Sequence, residues 1–321
     1  MGKVTKKRIP EIDIMKGIAI LCVMIGHTTW RSEWLAISIY SFHMPLFFII
    51  SGYFAKTYSE HSGNSWTFIK QNARQLLVPF IVTLVISCLY VLIQAIHYGD
   101  MSMLTHKLAS HILAWDTIWE GTLFDHHIAP IWFLLALFWG RILFYWLSRL
   151  GKWLIPLCIL LSVAMILVHP YVPTPFGIGR GIEALMFIAA GWAYKQYRFP
   201  LWVKIAGIAC WIGSIYMGSM DMYAYNYSCM PINIIGACGG TLMMFYVSKG
   251  IARTFMKPFF AWCGRNSLVI LCAHSIESTT TVVHMAAKVL PFKVPLVVYF
   301  GVRHAITLLG AWLYEKVKSK S

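Results

Sequence analysis

The chain has 321 residues, of which 59% are hydrophobic and only 12% charged, whereas a soluble globular domain carries about 25% charged residues. With a mean hydropathy of +0.65, this composition excludes a water-soluble enzyme and describes an integral membrane protein. The net charge of +15 does not signal nucleic acid, because the cations fall in short clusters between apolar runs, where they orient a membrane chain.

Apolar runs recur along the whole chain and predict about ten transmembrane helices, at 13–30, 35–55, 76–97, 130–149, 153–169, 180–196, 201–218, 231–249, 267–287 and 294–314. The expected fold class is an all-α polytopic membrane protein. Its parts are a basic leader over 1–12, one transmembrane domain over 13–314 and a basic tail over 315–321. Nineteen Lys or Arg residues fall in the segments this topology places inside, against five outside, namely Arg31, Lys107, Arg180, Lys288 and Lys293. That asymmetry predicts an inner-membrane protein with both termini cytoplasmic. No small-residue cleavage site follows the first apolar run, so it reads as a spanning helix and not a signal peptide.

Residues 13–54 carry the first candidate site. Lys16 and His27 are eleven residues apart, about 16.5 Å along one helical face. Lys16 thus falls near the cytoplasmic boundary and His27 beyond the midplane; the plainer readings are a snorkelling lysine and a helix-packing histidine. In the second span His43 precedes Pro45, which is expected to break or kink the helix and free a carbonyl. Ser51 and Gly52 permit close backbone approach, for packing or for a ligand.

The connection 56–75 is the largest on the cytoplasmic side. If a helix starts near Trp66, Lys70 and Arg74 share one face, and with Lys16 they suit the basic mouth of a cavity. Pro79 marks either a kink or the true helix start. The external connection 98–129 has an amphipathic portion over 100–114, followed by Trp115, Asp116, Trp119, Glu120, Phe124, Asp125, His126 and His127. This mixture reads as an aromatic belt or as an acceptor-side lid for sugar rings. Residues 169–179, rich in Pro and Gly, are expected to form a loop without helix.

Among the few acids, Glu183 can pair with Arg180, and Glu277 can orient or satisfy His274, each three residues away. Arg141 and Arg303 are candidates for phosphate binding or internal pairing. Neither a GxSxG elbow nor an HExxH motif occurs, the eight cysteines form no CxxC pair, and no metal is expected. An imidazole, by contrast, suits general-base activation of a hydroxyl.

The opening EIDIMKGIAILCVMIGH and the following FHMPLFFIISGYF resemble the first two helix signatures of the membrane-bound acyltransferase-3 family, which includes fucose 4-O-acetylase-like and other sugar O-acetyltransferases. FIKQNARQLLVPF resembles its third-helix entry, IWFLLALFWGRIL its Trp-x-Leu helix, and WCGRNSLVILCAH its late Asn-Ser-Leu and histidine element. The resemblance implies a ten-helix enzyme that moves an acyl group, usually acetyl, from cytoplasmic acetyl-coenzyme A to a hydroxyl of a carbohydrate or glycolipid acceptor. No permanently bound cofactor is implied. It places the family histidine on His27, the basic residue on Lys16 and the third-helix arginine on Arg74. Lysine at 16 keeps the charge but lacks the bidentate fork, and Leu135, Ala136 and Leu137 stand where a glutamate often follows Trp-x-Leu.

The expected reaction is acyl transfer with His27 as general base or transient acyl acceptor. His43 shapes the chamber with His27; Lys16, Lys70 and Arg74 hold the donor, and Trp132, Asn266, His274 and Glu277 are substrate-binding candidates that line or brace the chamber. The rival readings are a flippase for an envelope glycan and a non-catalytic scaffold.

Overall fold

The computed structural model describes residues 8–28, 32–60, 65–99, 101–114, 130–172, 174–280 and 295–319. The predicted lid of 115–129 and most of the basic leader lie outside these residues, as do 281–287 of the predicted ninth span.

Helix α1 (Pro10–Gly26) opens with Pro in its first turn, where the missing N–H costs nothing, and with Glu11 and Asp13 beside the positive end of the helix dipole. The second apolar run is two helices, α2 (Glu33–Tyr40) and α3 (His43–Tyr53). Pro45 does not cause the break. It occupies the first turn of α3, where no intrahelical N–H is needed, and the chain bends before it at Phe42, with φ −143° and ψ −25°. Nor does Pro79 start a helix, for α4 (Ser65–Tyr98) runs through it over 34 residues. At about 1.5 Å per residue, α4 is longer than a hydrocarbon core about 30 Å thick requires, and Lys70 and Arg74 lie on its early turns.

The short α5 (Met101–Leu113) packs through Leu104 on Val91 and Ala95 of α4. Helix α6 (Trp132–Leu147) is joined to α7 (Leu154–Val168) by a 3-10 turn in which Gly151 has φ 56°. Residues 169–172 and 174–177 are irregular, as expected, but helix resumes earlier than anticipated, with α8 (Ile178–Glu183) beginning after Gly177 and running into α9 (Leu185–Gln196). Helix α10 (Leu201–Met217) is followed by a hairpin of two-residue strands, β1 (Met220–Asp221) and β2 (Asn226–Tyr227), in register Met220 to Tyr227. The helices α11 (Met230–Ile251), α12 (Lys257–Arg265), α13 (Ser267–Thr280) and α14 (Leu296–Lys318) are the remaining ones among the described residues.

Five stretches of the described residues are long and apolar enough to cross a membrane: Glu33–Tyr53, Ser65–Tyr98, Trp132–Val168, Met230–Ile251 and Val297–Lys318. Apolar side chains such as Ile93, Ile96 and Leu160 point outward, as a lipid-facing surface requires. Helix contacts are close where glycines oppose backbone. A Cβ on Gly52 would strike the Ile188 carbonyl of α9, and one on Gly191 would strike the Ile49 carbonyl of α3. Small residues permit such approach where lipid supplies no hydrophobic drive, so Gly52 is a packing residue.

Candidate active site

Three helices lay parallel stripes along one cavity of about 860 Å³. From α1 come Lys16, Ile20 and Val23, with His27 just past the helix end. The spacing of four, three and four residues follows one helical face. From α3 come His43, Phe47, Ile50 and Ser51, and from α6 Trp132, Phe133, Leu137 and Arg141. Phe133 meets Phe47 at 5.4 Å between ring centroids and Arg141 Nε meets Ser51 Oγ at 2.8 Å. The α3 and α6 stripes therefore run side by side in the same direction. One end of the cavity holds Lys16, Ser51 and Arg141; the other holds His27, His43, Trp132 and the hairpin residues Asp221 and Tyr223.

His27 is not inside the helix as the drawn span implied. Helix α1 stops at Gly26, and His27 is exposed at its C-terminal cap. Tyr40 ties this corner together: its hydroxyl donates to Gly26 O at 3.4 Å and its ring lies edge-on to His43 at 5.1 Å. His43 Nδ1 lies 2.8 Å from Ile39 O. A carbonyl only accepts, so this nitrogen carries the proton and Nε2 is left as the acceptor nitrogen.

Behind His27, at 5.6 Å between centroids, sits His274, fully buried and without a hydrogen-bond partner for either nitrogen among the described residues. Its Nδ1 is 3.9 Å from Glu277 Oε2, an electrostatic contact beyond hydrogen-bond length. Glu277 is held more firmly by Arg303, whose Nε donates to Oε1 at 2.6 Å while Nη2 donates to Ser278 Oγ at 3.1 Å. Glu277 thus has a stronger partner than the histidine the sequence suggested. Arg303 and Ser278 line the cavity, whereas His274, Glu277 and Asn266 stand outside its lining. Asn266 caps α12, its amide donating to Trp262 O at 3.2 Å, and its neighbour Ser267 reaches the cavity instead.

At the hairpin end, Arg180 is completely buried. Its guanidinium lies 4.3 Å from the Tyr223 ring centroid, 5.3 Å from Trp132 and 5.5 Å from Tyr225, and its Nη2 donates to Tyr223 O at 2.7 Å. The Tyr227 hydroxyl donates to Glu183. Arg180 and Glu183, anticipated as a mutual pair, thus each hold the hairpin. Asp221 Oδ1 closes the turn by accepting from Tyr223 N at 2.8 Å.

Lys16 is 3.2 Å from Asp13 Oδ1. Lys70 and Arg74 are exposed on α4 and stand outside the cavity lining. Sequence reasoning did not single out Asp221, Tyr223, Tyr40 or His111, all of which line the cavity. The signals that were available are the scarcity of acids, for Asp221, and a histidine on the apolar portion of 100–114, for His111.

Nodulation protein NolL of Mesorhizobium japonicum (strain LMG 29417 / CECT 9101 / MAFF 303099) is 28% identical over 292 residues, covering 80% of this chain and 68% of that protein. No solved structure matches the chain. A family model described as an acyltransferase domain matches residues 9–316, nearly all of the cavity-forming helices, and the chain belongs to this acyltransferase-3 family.

Proposed function

We propose that this protein is a ten-span O-acetyltransferase of the inner membrane, with both termini cytoplasmic, of the sugar-modifying kind. It transfers an acetyl group from cytoplasmic acetyl-coenzyme A to a hydroxyl of a cell-envelope carbohydrate or glycolipid. The observation that carries this reading is the single cavity linking Lys16 and Arg141 at one end to His27, His43 and the hairpin at the other. A donor entering at the basic end and an acceptor entering at the aromatic end meet at the histidines. Lys16 guards the donor mouth, and Lys70 and Arg74, exposed on the first turns of α4, draw an anionic donor toward it.

In the reaction, the His27 imidazole takes the acceptor's hydroxyl proton as the oxygen attacks the thioester carbonyl. A C–O bond forms, the C–S bond breaks, and the proton passes from His27 to the departing thiolate. His43, held by Ile39 O, presents Nε2 to the same chamber. The pair of Glu277 with Arg303 braces α13 against α14 behind His27, and His274 fills the space between.

The test is turnover of isotopically labelled acetyl-coenzyme A by the purified full chain against a panel of candidate acceptors, with product mass as the readout. Label transfer that vanishes in His27→Ala is expected. Transfer that persists in that variant sinks the histidine mechanism, and movement of an unmodified glycan across vesicles without label transfer favours a flippase.

A further inference from the structure

Among the described residues, Lys16, Arg141 and Arg303 line the cavity, and they are not equally matched. Lys16 has Asp13 at 3.2 Å and Arg303 has Glu277 at 2.6 Å. Arg141 has neutral partners: its Nε donates to Ser51 Oγ at 2.8 Å and its Nη1 to Asn72 Oδ1 at 3.3 Å. Among the described residues Arg141 forms no ion pair, and its Nη2 makes no hydrogen bond. A guanidinium stays charged at any physiological pH, and a charge in an apolar wall is stabilised only by a counter-charge, hydrogen bonds or water.

Ser51 and Asn72 therefore fix the plane of the guanidinium without neutralising it. Asn72 is itself held, its amide donating to Phe68 O at 2.9 Å, which keeps its oxygen turned to Arg141. The cavity that Arg141 lines is largely apolar, with Ile50, Phe54, Leu76 and Leu137 also in its lining. With Nε and one Nη1 hydrogen engaged, the oriented guanidinium still offers Nη2 and the second Nη1 hydrogen, which suit an anion presenting two oxygens, a phosphate among them.

We propose that Arg141 is an anion-binding residue, taking phosphate oxygens of a ligand that enters from the Lys16 end of the cavity. Resting on the acyl-transfer reading, that ligand is the coenzyme A portion of the donor, and Arg141 sets how deep its arm reaches toward His27. A phospholipid headgroup offers the same chemistry, so the experiment separates the two.

The full chain in neutral detergent is titrated with coenzyme A, with pantetheine, which lacks the phosphates, and with short-chain phosphatidic acid. Wild type is compared with Arg141→Ala, Arg141→Lys and the double variant Ser51→Ala/Asn72→Ala. The expected result is coenzyme A binding weakened about 10- to 100-fold in Arg141→Ala, with pantetheine unchanged. Arg141→Lys falls between, keeping the charge and losing the fork. Coenzyme A binding unchanged in Arg141→Ala, or coenzyme A and pantetheine weakened in equal ratio, overturns the proposal. Arg141-dependent binding of phosphatidic acid with none of coenzyme A supports the anion site and removes the acetyl-coenzyme A reading; binding of neither anion by wild type overturns the site. Should Arg141→Ala fail to fold, the double variant decides: coenzyme A weakened severalfold with pantetheine constant supports the oriented fork, and no change refutes it.

Discussion

At the hairpin end of the cavity Arg180 lies wholly out of water beneath the rings of Trp132, Tyr223 and Tyr225, with a peptide oxygen for its Nη2. At the opposite end Arg141 faces the cavity with two neutral oxygens for company. The first arginine is packed among rings inside the protein and is absent from the cavity lining, while the second is oriented by two side-chain oxygens on the lining itself. A buried cation surrounded by π faces and carbonyl oxygen works as a structural rivet. An oriented cation without a counter-charge is chemistry prepared for an incoming anion. Trp132 belongs to both environments, packing on Arg180 while lining the cavity, so the rivet also stiffens the cavity wall at the hairpin end.

The largest expected effect falls between the two regions. His27→Ala is expected to lower acyl transfer by about 10²- to 10⁴-fold, the usual range for a general base, while leaving thermal unfolding in detergent nearly unchanged because the side chain is exposed at a helix end. A similar loss of Tm and of activity would instead make His27 a packing residue. Next is Arg180→Ala, expected to cost about 3 kcal/mol of stability through lost cation–π contacts and a stranded Tyr223 carbonyl. It should raise the acceptor KM and leave coenzyme A affinity alone. If this variant weakens coenzyme A binding while Arg141→Ala destabilises the fold, the contrast between the arginines is inverted.

Asp221→Asn sharpens the hairpin side further. Asparagine keeps an oxygen to accept from Tyr223 N, so the turn survives, but the carboxylate charge facing the cavity is gone. An acceptor KM raised about 10-fold, the scale of one charge-assisted hydrogen bond, with unaltered coenzyme A binding, is the expected outcome in steady-state assays. No change in KM would remove Asp221 from acceptor recognition.

How much of this was readable beforehand depends on whether a feature is periodic. The helical stripe Lys16, Ile20, Val23 and His27 is a single-helix pattern, visible in sequence and present along the cavity. Where residues are described, the predicted apolar segments overlap helices, and five stretches are long and apolar enough to cross a membrane. The break in the second run was correctly anticipated but wrongly attributed, since proline disrupts only where an N–H is required, and at the third position of α3 none is. Asp221 and Tyr223 were illegible for a different reason. Strands of two residues carry no period, and the hairpin owes its position to Arg180 and Glu183, about forty residues earlier in the chain. Likewise Arg141 had two open readings until Ser51 and Asn72, from two other helices, were seen to hold it without neutralising it.

The smallest expected effect tests the surface of α4 near the Arg141 end of the comparison. Lys70 and Arg74 sit exposed on the early turns of α4, outside the cavity lining, where water and salt screen them. Charges so placed change encounter rates more than bound-state energies. The double variant Lys70→Ala/Arg74→Ala is therefore expected to slow coenzyme A association by about 3-fold at low ionic strength, with the difference vanishing above about 0.5 M salt, where the Debye length falls below about 5 Å. Its dissociation rate should match wild type. Arg141→Ala should show the opposite partition, with faster dissociation and weak salt dependence, because losing a desolvated, hydrogen-bonded charge appears in the off-rate. A large salt-independent loss in the α4 double variant would move the principal anion contact from the cavity wall to the helix surface.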